Sequence, residues 1–352
     1  MYTAAWENMP LRGWHDTHGD IICRAYNKKM EGNMDMQNTA PLSAYIKIAR
    51  PDHWVKNVFI MPGLVLALIL IEIPDEIGMF LLKLLAGFLA TCFIASANYV
   101  INEWLDAEFD KYHPTKKYRP VVSQNMKFSL VMAEYVVCIA AGAALSFLVN
   151  IPFLLTEAWL LVMGVLYNVK PIRTKDIVYL DVLSESINNM IRLLLGWFIV
   201  CENVYPPSSV LVGYWMAGAF LMAVKRYAEY RMIGDPKLAG SYRKSFARYS
   251  EATLLCSSFF YALCATFLLG IFLLKYRIEY IVAIPFLFFL FCYYLYIAYK
   301  PDSAAQKPEK LFREKKLMIL VGILVVLFAV LTIVDIPIME MWETAFFIPT
   351  SA

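Results

Sequence analysis

Apolar runs of about twenty residues, the length a helix needs to cross roughly 30 Å of hydrocarbon, recur along nearly the whole chain and alternate with short polar connections. Nine such runs fall at 55–73, 77–101, 127–149, 151–168, 177–200, 208–225, 252–274, 278–299 and 317–335. Each predicts one membrane-spanning α-helix, and together they occupy more than half of the 352 residues. No remaining stretch is long enough to bury a soluble core of its own. The pattern predicts an all-α polytopic membrane protein with nine transmembrane helices in one domain over 42–336. A polar leader over 1–41, disordered and cytoplasmic, and a short extracytoplasmic tail over 337–352 complete the expected organisation. The leader shows neither an apolar signal core nor a cleavage site, and Met34 or Met36 offers an alternative start.

Composition agrees with lipid as the solvent: 60% of residues are apolar and 17% charged, against about 45–50% and about 25% in soluble domains. With 32 Lys+Arg and 29 Asp+Glu the formal net charge is only +3. That excludes partners held by bulk charge, nucleic acid included. The seven cysteines stand mostly inside apolar runs without a CxxC pair, so packing is their expected role rather than disulfides or zinc. His15, Asp16, His18 and Asp20 cluster in the leader, where no rigid element is expected to hold a coordination geometry.

Lys and Arg concentrate in alternate connections, which orients a polytopic protein. The connections 102–126, 169–176, 225–251 and 300–316 are basic, those near 72–76, 150 and 201–207 carry no Lys or Arg, and only Lys275 and Arg277 break the alternation. The basic side is expected to be cytoplasmic, with the amino terminus inside and the carboxyl terminus outside.

The second apolar run continues into Asn102-Glu103-Trp104-Leu105-Asp106-Ala107-Glu108-Phe109-Asp110. Asn102, Asp106 and Asp110 are spaced i, i+4, i+8, so a helix stacks their oxygens along one face. Such a column at a membrane edge suits Mg²⁺, which takes oxygen ligands and binds through one or two carboxylates plus substrate phosphates. Pro114 is expected to end the helix, which leaves Lys116, Lys117 and Arg119 to fold over the same site and neutralise phosphate oxygens.

The Asn102-x-x-x-Asp106-x-x-x-Asp110 run, followed by His113-Pro114-Thr115-Lys116 and Arg119-Pro120, resembles the first signature of the UbiA-type intramembrane prenyltransferase superfamily. It is most similar to the branch that makes decaprenyl-phosphate phosphoribose. Arg50-Pro51-x-x-Trp54-Val55-Lys56-Asn57 is similar to that branch's opening motif, and the resemblance covers roughly residues 42–335. Tyr167-Asn168-Val169-Lys170, Lys175-Asp176, Asp181-Val182 and Arg192 resemble its fourth-to-fifth span region. Asp181 and Arg192 are expected roughly on one side of the fifth helix. Ionisable groups inside an apolar span default to a functional reading, although an Asp181–Arg192 or Asp181–Lys pair would also lock helices.

Aromatic-acceptor members of the superfamily usually carry a second Asp-x-x-x-Asp column between the sixth and seventh spans. Here Lys225, Arg226 and Glu229 stand in that connection, and the next carboxylate, Asp235, is six residues on, on another helix face. Cations there suit a phosphate, or, for Arg226, mere snorkelling at a helix end.

The resemblance implies a UbiA-like helical bundle with its active site on the cytoplasmic face of the inner membrane. It implies Mg²⁺-dependent transfer of phosphoribose from 5-phosphoribosyl 1-diphosphate to a polyprenyl phosphate, releasing diphosphate, in cell-envelope precursor synthesis. Asn102, Asp106 and Asp110 would hold the metal, with Lys116 and Arg119 beside them. Lys56, Asn57, Tyr167, Lys170, Asp181, Arg192, Lys225, Arg226 and Glu229 would bind substrate. Prenyl transfer to an aromatic or other small acceptor is the nearer alternative, and a non-enzymatic lipid carrier or transporter the more distant one. A homo-oligomer in membrane lipid is compatible with either.

Overall fold

The computed structural model describes residues 40–71, 75–111, 116–300, 303–306, 311 and 313–337. The expected leader, save its last two residues, and the expected tail, save its first, lie outside the described residues, as does the His15–Asp20 cluster. Among the described residues the structure is helical and contains no strand.

The first rod, α1 (Leu42–Leu70), starts thirteen residues before its apolar run and is composite. A helix over Leu42–Ile48 gives way to a 3₁₀ stretch over Pro51–Ile60 and then to a regular helix over Met61–Leu70. The break falls at Arg50, whose φ of 50° is left-handed. Pro51 disfavours the helical conformation in the residue before it, and Glu103 fixes the Arg50 side chain through two hydrogen bonds of 2.9 and 3.3 Å.

The second helix, α2 (Ile77–Asp110), has 34 residues and so runs for about 50 Å, well beyond the roughly 30 Å of a hydrocarbon core. Its last turns therefore stand clear of the apolar layer. There follow α3 (Phe128–Val149), α4 (Ile151–Asn168), α5 (Leu180–Val200), α6 (Ser208–Ile233) and α7 (Glu251–Tyr276). The last two are α8 (Ile278–Ala298) and α9 (Lys315–Ile333). Eight helices among the described residues are long and apolar enough to cross a membrane. The remaining one, α5, has the length of a span but carries Asp181, Glu185 and Arg192, and 13 of its 21 residues are buried. Its position inside the bundle lets protein rather than lipid receive those groups.

Lipid tails are as apolar as leucine, so close packing and buried polar contacts, not apolar burial, decide how such helices associate. Helices α1, α2, α4 and α5 close around Ile60, Ala90, Phe153, Leu195 and Trp197. Helices α6, α7 and α8 close with the start of α5 around Val182, Phe220, Tyr261 and Tyr294. The outer faces carry exposed Leu81, Leu82 and Leu85 on α2 and Phe259, Phe260 and Phe267 on α7, which suits contact with lipid.

Candidate functional site

Asn102, Asp106 and Asp110 occupy one face of the final turns of α2. The connection from α4 to α5 folds back over that face, shaped by Arg173 at φ 34° and Tyr179 at φ 65°. Side-chained residues hold such left-handed conformations only where their surroundings impose them. Arg173 Nη2 lies 2.9 Å from Asp106 Oδ1, its Nε lies 3.2 Å from Asp176, and its Nη1 donates to the Asn168 carbonyl at 3.3 Å. Lys175 Nζ donates to Asp106 Oδ1 at 2.5 Å, to Asn168 Oδ1 at 2.8 Å and to Asn102 Oδ1 at 3.2 Å. Burial pushes the Lys175 ammonium down to about 8, against the pull of Asp106 in the other direction. Arg119, just beyond α2, pairs with Asp110. The helix stops at Asp110. His113, Pro114 and Thr115 lie outside the described residues, and so does the side chain of Lys116.

Three side-chain oxygens from α2 and α4 thus converge on one ammonium, which marks a point where the fold stabilises a cation. All the donors are oxygens, and the column adds the second carboxylate of Asp110, which is 4% exposed. This set fits a hard divalent cation that leaves other positions to water and phosphate oxygens. Among the described residues no three His, Cys, Asp or Glu side chains come together in a metal-binding group, so the column offers two carboxylates and an amide, not a closed protein cage.

A second pole stands on α5 and α6. Arg226 is 1% exposed, and its guanidinium reaches Glu185 at 2.5 Å, Glu229 at 3.2 Å and Asp181 at 3.5 Å. Asp181 is fully buried and also accepts from Ser245 Oγ at 3.0 Å and Tyr249 Oη at 2.8 Å, with Arg243 3.8 Å away. Burial, and then the neighbouring Asp181 carboxylate, hold the Tyr249 phenol well above its ordinary range. Lys225 is partly exposed and makes no hydrogen bond or ion pair among the described residues. Tyr167 links the poles: its hydroxyl donates to Glu185 at 2.8 Å, and Lys175 Nζ lies 5.8 Å from the centre of its ring. Lys170 is exposed on the connection beyond α4.

Asp181 and Arg192 do not meet. Asp181 belongs to the Arg226 cluster, whereas Arg192 Nε donates to Asn57 Oδ1 at 3.3 Å, deeper in the bundle. Asn57 is 1% exposed and passes its own amide hydrogen to Cys92 Sγ at 3.2 Å. Lys56 Nζ stands 3.4 Å from His53 Nδ1 on the same 3₁₀ stretch.

Sequence reasoning missed Glu185 as a site residue, although Asp181 and Glu185 share the i, i+4 spacing that singled out α2. It also missed Arg173 and Glu103, and it placed Asn168 and Lys175 in the resembling motifs without giving either a role in the site. No local signal marks Arg173, because its partner Asp106 is 67 residues away and the contact depends on how the loop folds.

The comparisons with known proteins bear on the fold and the family. A solved structure of a UbiA homologue from Archaeoglobus fulgidus, bound to DMAPP and Mg²⁺, superposes with a TM-score of 0.61 at 19% identity, covering 82% of this chain and 99% of that one. Nodulation protein NoeC of Azorhizobium caulinodans is 29% identical over 65% of this chain and 72% of its own length. Decaprenyl-phosphate phosphoribosyltransferase of Corynebacterium glutamicum is 28% identical over 68% of this chain and 70% of its own. The family model described as the UbiA prenyltransferase family matches residues 59–320. That match spans most of the bundle and both poles of the site, and the chain is accordingly a multi-pass membrane protein that belongs to the UbiA prenyltransferase family.

Proposed function

We propose that this member of the family transfers phosphoribose from 5-phosphoribosyl 1-diphosphate to a polyprenyl phosphate. The observation that carries the reading is the second pole, where the carboxylates of Asp181, Glu185 and Glu229 are already occupied by the buried Arg226 guanidinium. With Arg243 3.8 Å from Asp181, that pole is organised around guanidinium cations and not around a second Asp-x-x-x-Asp column for the metal of a prenyl diphosphate. The similarity to phosphoribosyltransferases of the decaprenyl-phosphate class supports the same reading.

The bond that forms joins a phosphate oxygen of the lipid to C1 of the ribose. The bond that breaks is C1–O to the diphosphate, which leaves with the electron pair. The nucleophile is already anionic, so no strong general base is required. Asn102, Asp106 and Asp110 would hold Mg²⁺, which would supply Lewis-acid stabilisation of the leaving group. Arg119, Arg173 and Lys175 bring three cations to that face, with Lys116 three residues before Arg119 in the chain, and offset charge that grows on the diphosphate. Lys56, Lys170 and Lys225 supply charge for the remaining phosphate groups. Arg226 acts by holding Asp181, Glu185 and Glu229, and hence α5 and α6, in place beside Tyr167. In this reading the site opens to the cytoplasm, where the basic connections gather, and the amino terminus is inside.

Purified protein incubated with labelled phosphoribosyl diphosphate, Mg²⁺ and polyprenyl phosphate is expected to yield a labelled lipid, and EDTA to abolish it. A parallel reaction with prenyl diphosphate and an aromatic acid is expected to yield nothing. A prenylated aromatic product without labelled lipid would replace this reading with prenyl transfer.

A further inference from the structure

Arg192 lies seven residues beyond Glu185 on α5, nearly two whole turns, so it shares that face about 10 Å deeper in the bundle. Its Nε donates to Asn57 Oδ1 and its Nη1 to the Asn188 carbonyl, both at 3.3 Å. Among the described residues no carboxylate lies within ion-pairing distance of Arg192, and its Nη2 donates to nothing. Glu157 on α4 senses Arg192 only at range and is hydrogen-bonded to Thr91. A guanidinium without an acid at this depth is costly and points to an anion that arrives from outside the protein.

A second group points the same way. Asn188, one turn back on the same helix, has its Oδ1 buried with no hydrogen-bond donor, and an orphaned buried acceptor is expensive to leave unmet. Turning the amide over would bring its Nδ2 to the same space, and a hydroxyl satisfies either orientation. A phosphate oxygen serves only the turned orientation, so a ligand that carries both an anion and a hydroxyl serves the pair in either one. A sugar phosphate carries both; a prenyl phosphate carries only the anion. Tyr99 lies within electrostatic range of both Arg192 and Glu185, so the deep pair and the Arg226 pole share one wall of the bundle.

Building on the phosphoribosyl reading, we infer that Arg192 and Asn188 form the inner end of the donor site. Arg192 takes the 5-phosphate and Asn188 a ribose hydroxyl, while the 1-diphosphate stays at the Asn102–Asp110 column. The sugar thus enters the bundle phosphate first, with the ribose between the column and Arg192. A role confined to locking α5 onto α1 through Asn57 would alter stability but not the choice among ligands.

Isothermal titration of the purified full chain with ribose 5-phosphate, ribose, geranyl phosphate and inorganic diphosphate, each with Mg²⁺, tests this. Arg192→Gln is expected to weaken ribose 5-phosphate at least tenfold, Asn188→Ala several-fold, and neither to change diphosphate affinity. Arg192→Lys is expected to recover part of the loss. Unchanged ribose 5-phosphate affinity in Arg192→Gln overturns the inference, as does a loss confined to geranyl phosphate, which would assign the inner end to the lipid. Should Arg192→Gln lose diphosphate binding as well, it has unfolded, and Asn188→Ala, which keeps the Arg192–Asn57 bond, decides alone. Wild-type protein that binds diphosphate but neither ribose 5-phosphate nor makes a phosphoribosyl lipid would defeat the phosphoribosyl reading itself. A wild type that makes the lipid beside variants that bind like it would defeat only the inner-end assignment.

Discussion

Asp106 and Arg226 sit at the two poles of the site, yet their removal is expected to register differently. Asp106→Asn and Asp110→Asn keep shape and burial while removing the charge that a metal and its diphosphate need. Each is expected to lower turnover by about a hundredfold or more, the scale of losing one organised electrostatic contact. Near-wild-type turnover in Mg²⁺ from either variant would remove the metal column from the reaction. Arg226→Ala instead strands three carboxylates, one of them fully buried, without their shared cation. Breaking a buried ion pair from one side costs about 3–5 kcal/mol, so thermal unfolding in detergent is expected to fall sharply. Arg226→Lys is expected to recover only part of that, because a compact ammonium lacks the planar five-donor fork that spans the three acids. An Arg226→Ala variant that melts like the wild type would show that the carboxylates are satisfied by other means.

Helix α1 presses directly onto α5. A Cβ placed on Gly196 would stand 2.0 Å from the Ile60 carbonyl oxygen, and one on Gly63 would stand 1.8 Å from that of Leu193. Both neighbours are backbone and cannot swing aside, so the two helices would have to separate. That separation would also stretch the Asn57–Arg192 bond, which lies beside both contacts. Gly196→Ala is expected to destabilise by at least the roughly 1–3 kcal/mol of an overpacked core, read as a lower melting temperature. Gly322 on α9 has nothing within 4 Å of its would-be Cβ, and Gly322→Ala is expected to gain up to about 1 kcal/mol from helix propensity. Equal melting shifts for the two variants would mean that α1 and α5 are not in such contact. The composite form of α1 belongs to this scale too: its 3₁₀ stretch carries Asn57 toward α5 and Trp54 toward Ser96, with the indole donating at 2.9 Å.

For the molecule as a whole, the orientation in the membrane is the property to test. Single cysteines at Ser241 and Glu202, both exposed and in connections on opposite sides of α6, distinguish the two possibilities in a background without native cysteines. The cysteine at 241 is expected to resist an impermeant thiol reagent in intact cells and to react in inverted vesicles, and that at 202 to do the reverse. The opposite pattern would expose the Asp106 column to the outside, away from a cytosolic sugar diphosphate.

The spans were legible because a period of 3.6 residues and a run of apolar side chains are local properties, and lipid leaves a chain few other choices. The column on α2 was legible for the same reason, since residues four apart share a helix face wherever that helix ends up. Basic connections could be counted without any structure. What only the tertiary structure decided is which charges meet. Lys175 reaches Asp106 across 69 residues of sequence, and Arg192 reaches Asn57 across 135. Asp181 turned to Arg226 rather than to Arg192 on its own helix. Those pairings depend on which faces of α1, α2, α4, α5 and α6 pack together. A buried charge takes the partner that packing brings within about 3 Å, and sequence separation has no bearing on that distance.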